Sequence, residues 1–162
     1  MKKTILAALA FSCVVLPAWA ADDPLVTRML LCQESWLDWQ KSAPTKLAAF
    51  GNRFRTEFAH KDSDAFMTPK TPISFLGLRT AQVFPDSVGM GVGFSATIDA
   101  PFDPVRKAVE KALGKKLVHC EKSDGMNACE LPIAEKRTVT LMAEDSPKAT
   151  QTLVGCYYYY EK

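Results

Sequence analysis

The feature that most constrains how this chain can fold is a set of four cysteines, Cys32, Cys120, Cys129 and Cys156. Four cysteines allow three disulfide connectivities. The dipeptide Asp124-Gly125 is typical of a two-residue hairpin turn. Counting outward from that turn, Cys120 faces Cys129 in a non-hydrogen-bonded pair, where Cα atoms lie about 4.5 Å apart, within disulfide range. We therefore predict the pairs Cys120–Cys129 and Cys32–Cys156, with free buried thiols as the alternative.

The N-terminal segment indicates that these cysteines meet an oxidising compartment. Residues 1–20 have two lysines after Met1, continue with an apolar run from Ile5 to Leu16 and end on Ala18-Trp19-Ala20, as a cleavable signal peptide does. The apolar run is shorter than the about 20 residues that span a bilayer. Cys13 is an alternative lipidation site, but the residues before it do not suit one. We expect cleavage after Ala20, no transmembrane segment in the mature chain, and a periplasmic or secreted bacterial protein.

Removal of the leader changes what the charge implies. The remaining residues, 21–162, have a length that suits one domain. The two lysines of the leader account for the whole formal net charge of +2, so the domain itself is formally neutral. Because bulk nucleic-acid binding depends on clustered Lys and Arg, we expect no nucleic-acid partner.

The first half of the domain shows both helical and strand patterns. A helix is predicted from Asp23-Pro24, an N-cap followed by proline, to about Lys41. A second amphipathic segment covers 47–58, and residues 60–72 read as a loop. Alternate apolar residues over 88–98 predict a strand with one apolar face and one nearly bare face.

The second half predicts one more helix and several strands. The helix is expected from Asp103 to Leu113, with Gly114 ending it. The disulfide hairpin follows, then strands around 138–143 and 150–160. This order predicts an α+β fold: a mostly antiparallel sheet with the helices packed on one face, stapled by two disulfides.

Catalytic and cofactor motifs are weak. Ser95 lies in a run that lacks the final glycine of a nucleophile elbow, and His119, like the other histidine, has no partner at ligand spacing. The glycines Gly89, Gly91 and Gly93 lack dinucleotide-binding spacing and instead predict the close approach of a backbone or an aromatic ring. We expect no cofactor and no metal, and more weight for a non-enzyme than for an enzyme.

Two surfaces favour a binding role. On the last strand, Tyr157 and Tyr159 point away from the face of Cys156 and are expected to form an exposed partner-binding face, as tyrosines of contact surfaces do. The alternative is that helices or loops cover this face too. Lysines at four-residue steps follow the predicted helix: Lys107, Lys111 and Lys115. This row is either a solvated face or a patch for an anionic partner.

These observations predict an exported, non-enzymatic binding protein, such as an inhibitor, an immunity-type partner or a virulence-associated module. Its partner would be a protein or an envelope component. The alternatives are a small periplasmic hydrolase, whose candidate residues are Ser95 and His119, and a structural envelope component. A pocket that holds His119 near Ser or Asp would favour the hydrolase, and a flat exposed tyrosine face would favour the binding protein.

Overall fold

The computed structural model describes residues 20–60, 65–85, 87–88 and 91–159, so the predicted signal peptide lies outside them except for Ala20. Helices α1 to α4 span Pro24–Leu30, Trp36–Ser42, Pro44–Glu57 and Phe102–Leu113. Strands β1 to β10 span Phe58–His60, Met67–Pro69, Ile73–Phe75, Leu78–Phe84, Ser87–Val88, Gly91–Ile98, Val118–Ser123, Met126–Ala134, Arg137–Glu144 and Thr152–Tyr159. The predicted α+β class with a mostly antiparallel sheet is confirmed.

The strands form one sheet in the order β1-β2-β4-β6-β10-β9-β8-β7, with β3 beside β4 and β5 beside β6. The last strand in the chain, β10, therefore lies in the middle of the sheet, between β6 and β9. The chain leaves β6, passes through α4 and re-enters the sheet at its far edge as β7. It then returns inward through β8 and β9.

The core is built from alternate residues of these central strands. Cys156 of β10 lies between Phe94 of β6 and Val139 of β9, and all three are buried. The same cluster of buried side chains includes residues of the helices: Val26, Met29 and Leu30 of α1, Phe50 and Phe54 of α3, and Val105 and Val109 of α4.

The two disulfides join the cysteines in the predicted pairs. Cys32–Cys156 links the turn after α1 to β10, and Cys120–Cys129 closes the hairpin of β7 and β8. The hairpin turns at Asp124-Gly125. A register shift precedes Glu121 in β7, and His119 there has a φ of 49°.

The first helix is interrupted, and the prediction of one continuous helix over 23–41 is wrong. The first segment, α1, ends at Leu30, and Cys32 has a φ of 57°, in the left-handed region that a helix does not continue through. Ser35 then caps α2, since its hydroxyl accepts a hydrogen bond from the Leu37 amide at 3.1 Å. The periodic apolar pattern spans this break because both segments contribute to the core.

The predicted loop over 60–72 is also corrected in part. β1 and β2 pair there, with Phe58 opposite Pro69, and proline is tolerated because this pair lies at the edge of the sheet. The strand predicted over 88–98 corresponds to β5 and β6, and residues 89–90 lie outside the described ranges.

Asp23 ties α1 to α3 and to β3. Its carboxylate accepts hydrogen bonds from the Leu25 and Val26 amides at 3.1 Å, which caps α1, and both of its oxygens contact the Arg53 guanidinium of α3. Its amide donates to the Ser74 carbonyl at 3.0 Å. Burial raises the pKa of Asp23, but the hydrogen bonds from Arg53 and the capping amides outweigh it, so the pKa lies below its ordinary value.

We predict that loss of Cys32–Cys156 destabilises the protein more than loss of Cys120–Cys129. The bonds join residues that are 124 and 9 positions apart in the chain. From these loop lengths, chain entropy gives stabilisations of roughly 5 and 2.5 kcal/mol. Urea unfolding of the two double-serine variants measures both costs. Equal costs would contradict the ranking.

We predict that part of the stability is lost on acidification because of Asp23. A lowered folded-state pKa means that the ionised carboxylate stabilises the fold above about pH 4 and that this contribution disappears as pH falls through the lowered pKa. Asp23→Asn keeps a capping side chain and should cost about 1.5–3 kcal/mol at pH 7. It should also flatten the slope of unfolding free energy against pH between 4 and 2.

The exposed Asp103→Asn variant, whose carboxylate lies 3.5 Å from Arg106 at the surface, is the matched control and should keep the parent slope. An unchanged slope in Asp23→Asn would show that other carboxylates carry the acid sensitivity.

Candidate functional site

The structure does not show the exposed Tyr157 that the sequence predicted. Tyr157 does lie on the sheet face opposite Cys156, but it is only 5 % exposed. Its ring covers the glycines: a methyl group at Gly155 would lie 2.5 Å from the ring, and one at Gly93 would lie 3.0 Å from it. The expectation of an exposed Tyr157 is therefore wrong, because two glycines leave room for the ring to lie flat on the sheet. The side chain of Tyr159 lies outside the described ones.

Tyr158 lies on the core side and is half-buried. The Arg137 guanidinium lies 4.8 Å from the centre of its ring, a cation–π contact. Arg137 in turn donates to both oxygens of Asp38 of α2 at 2.6 and 2.7 Å. Burial raises the pKa of the Tyr158 hydroxyl. The residues around Tyr158 thus join α2 to the sheet.

The lysine row lies in solvent. Lys107 and Lys111 are exposed on α4, and Lys115 is exposed just after Gly114, which ends the helix with a φ of 64°. The buried residues of α4 are Val105 and Val109. This exposure fits both interpretations of the row, a patch for an anionic partner and a solvated face.

The two candidate residues for a hydrolase are not brought together. Ser95 is 1 % exposed in the middle of β6, whereas His119 is exposed on β7 at the edge of the sheet. Three strands lie between β6 and β7, which separates the two by roughly 19 Å at the usual strand spacing of about 4.8 Å. A direct hydrogen bond between them is impossible in this fold.

Neither a metal cluster nor a membrane span is found in the described ranges. No three or more His, Cys, Asp or Glu side chains there are placed to hold a metal ion. No helix there combines the length and the apolar composition needed to cross a membrane.

A large cavity lies beside α3, where the sequence pattern had indicated only an amphipathic helix. It has a volume of about 700 Å³. Its apolar walls are formed by Trp36, Phe50, Phe54, Phe58, Met67 and Pro85. We call it the aromatic cleft.

One row of rings forms a wall of the aromatic cleft. Phe50, Phe54 and Phe58 follow at four-residue steps along α3 and into β1, so their side chains stack on one side. Their ring centres lie 4.6 and 4.5 Å apart. All three are buried in the core, and Phe94 packs edge-on against the first two. This wall is therefore held in place by core packing.

The other apolar lining residues come from segments distant in sequence. Trp36 begins α2, and its indole N–H donates to the Gly93 carbonyl at 3.3 Å. Met67 belongs to β2, and Pro85 follows β4. Gly51 of α3 also lines the cleft, and a side chain there would extend into open space.

The charged groups around the aromatic cleft are of one sign among the described residues that line it. They are Arg55 and Lys70, with His60 beside them, and all three are exposed. The Lys70 ammonium donates to the Thr56 carbonyl at 2.8 Å, and Arg55 donates to the Asn52 side-chain oxygen at 3.0 Å. Both cations are thus exposed lining residues that hydrogen-bond to α3, and we call the part of the cleft that they line its mouth.

A second cavity, of about 470 Å³, lies between α4 and the disulfide hairpin. Its charged residues have both signs: Asp103, Arg106, Glu121, Lys122 and Glu144. This mixture gives no preference for a ligand charge, so the aromatic cleft is the better-defined site.

Comparison of the chain with protein-family models, with curated proteins and with solved structures finds no significant match. Function is therefore inferred from the aromatic cleft and from the fold that forms it.

We predict strong coupling between Tyr157 and Gly155. Gly155→Ala places a methyl group within the volume of the ring and should cost about 1–3 kcal/mol, and Tyr157→Ala should cost about 3 kcal/mol or more, as for other buried aromatics. In the double variant the Tyr157 ring is absent, so the destabilisation caused by Gly155→Ala should largely disappear. Denaturant unfolding of the four proteins measures this coupling. Additive costs would contradict the packing described here.

Proposed function

We propose that the chain is an exported, non-enzymatic binding protein and that the aromatic cleft is its ligand site. The export is supported by the signal-peptide pattern of residues 1–20 and by the two disulfides. The binding role is supported by the cleft.

The observation that carries this proposal is the preformed apolar wall. Sites for small ligands are typically concave cavities of about 300–1,000 Å³ with apolar and aromatic walls and a few polar groups. The aromatic cleft has this size and this composition. Because its rings already pack in the core, a ligand would find the site organised before it binds, which lowers the entropic cost of association.

The side chains at the cleft favour binding over catalysis. Nucleophilic catalysis needs a nucleophile within hydrogen-bond reach of a base. Besides the Trp36 indole, the polar side chains among the described residues of the cleft are Arg55, His60 and Lys70. They include no serine, cysteine, threonine or carboxylate, and the Lys70 ammonium donates to the Thr56 carbonyl rather than to a base. This favours the binding protein over the hydrolase alternative.

We further infer that the helices gather on the face of the sheet that carries Cys156. Buried residues of α1, α3 and α4 share one cluster with that face, and Tyr157 covers glycines on the other. The exposed row of Lys107, Lys111 and Lys115 would then be a second contact surface, for a protein or an anionic envelope component. Tyr157 contributes to the fold rather than to this contact.

A neutral fluorescent probe tests the cleft. We expect the protein, produced with its full chain and purified after export, to bind N-phenyl-1-naphthylamine saturably at one site with a blue-shifted emission. Gly51→Phe should weaken this binding by roughly tenfold or more, because it fills the cleft with a ring that a ligand would displace only at a cost.

Gly51→Ala is the matched control. It removes the helix-destabilising glycine, should raise stability by about 0.5–1 kcal/mol, and should leave probe affinity close to that of the parent. If the probe does not bind, or binds equally to Gly51→Phe and the parent while both are folded by circular dichroism, the cleft is not the ligand site.

A further inference from the structure

We infer that the aromatic cleft binds a long-chain fatty acid, with its alkyl chain along the phenylalanine row and its carboxylate at Arg55 and Lys70. This inference rests on the proposed function and specifies the ligand of the same site.

The shape of the wall fits a single alkyl chain. Phe50, Phe54 and Phe58 form one row of rings at spacings of 4.6 and 4.5 Å, and Met67 and Pro85 complete an apolar lining. A flexible methylene chain can contact such a row along its length, and methionine adapts to chains of different lengths. Each methylene buried there should tighten binding by about fourfold.

The charge at the mouth selects the head group. Arg55 uses one donor on Asn52 and Lys70 uses one on Thr56. A guanidinium has five donors and an ammonium three, so both cations keep donors for a carboxylate, and an arginine can bind one with two parallel hydrogen bonds.

The sign of the charge also ranks the amphiphiles. Since the charged residues among the described lining are cations, a cationic amphiphile would meet repulsion and a neutral one would gain no ion pair. A ligand with an apolar body and an anionic end is therefore favoured, and a fatty acid is the simplest molecule that has both.

Calorimetric titration with matched twelve-carbon ligands tests the inference on the full exported protein. We expect dodecanoate to bind about tenfold more tightly than 1-dodecanol, the gain that a charge-assisted hydrogen bond supplies. Affinity should increase from octanoate to dodecanoate by up to about fourfold for each methylene. All ligands are kept below their aggregation concentrations.

Variants at the mouth identify the head-group site. Arg55→Gln should remove most of the preference for dodecanoate over dodecanol and leave dodecanol affinity unchanged. Lys70→Gln should also weaken dodecanoate binding. The melting temperature of this variant is measured as well, because the Lys70 ammonium donates to the Thr56 carbonyl near the end of α3. Arg79→Gln is the matched control. It removes an arginine of β4 that is 70 % exposed and pairs with Asp99, and it should keep the full preference for dodecanoate over dodecanol.

The outcomes separate the ligand class from the binding function. Equal affinity for dodecanoate and dodecanol, tighter binding of dodecyltrimethylammonium, or an unchanged preference in Arg55→Gln overturns the fatty-acid inference while probe binding to the cleft still stands. Lysophosphatidylglycerol binding more than tenfold tighter than dodecanoate also overturns it, because the head group then belongs to an envelope lipid. If neither these ligands nor the neutral probe binds, both proposals fail.

Discussion

The bond between Cys32 and Cys156 holds the junction on which the rest of the structure depends. Cys156 lies in β10, which pairs with both β6 and β9, and its neighbours across the sheet are Phe94 and Val139. Cys32 lies in the turn between α1 and α2, so the bond fixes the N-terminal helices to the middle of the sheet. The aromatic cleft depends on the same junction, because α2, which carries Trp36, and α3, which carries the phenylalanine row, follow directly after this turn.

Features encoded by neighbouring residues could be predicted from the sequence. The Asp124-Gly125 turn identifies the hairpin and, with it, the pairing of its two cysteines. The division of the first helix could not be predicted in this way. Its apolar spacing continues across the break, and Cys32, which adopts the left-handed conformation there, is bonded to a partner 124 residues away. Local periodicity reports which side of a segment is buried, but not whether the segment is one helix or two.

In the candidate site, too, local features could be predicted from the sequence and long-range contacts could not. The four-residue spacing of the phenylalanines places them on one side of α3, and this was visible in the sequence. That this side borders a cavity depends on Trp36, Met67 and Pro85, which meet only in the folded chain. For Tyr157, the alternation of strand residues indicated the correct face. Its ring lies against Gly155 of its own strand and Gly93 of β6. The glycine pattern predicted the approach of a backbone or an aromatic ring, but which ring covers Gly93 depends on the long-range pairing of β6 with β10.

The central place of β10 determines when the protein can fold. Because residues 152–159 lie between β6 and β9 in the sheet order of the described strands, the two halves of the sheet cannot meet until these residues have been synthesised. Until then the Cys32 thiol cannot form its disulfide, because Cys156 follows it by 124 positions in the chain. A chain interrupted before residue 152 would leave the edges of β6 and β9 unpaired and prone to aggregation.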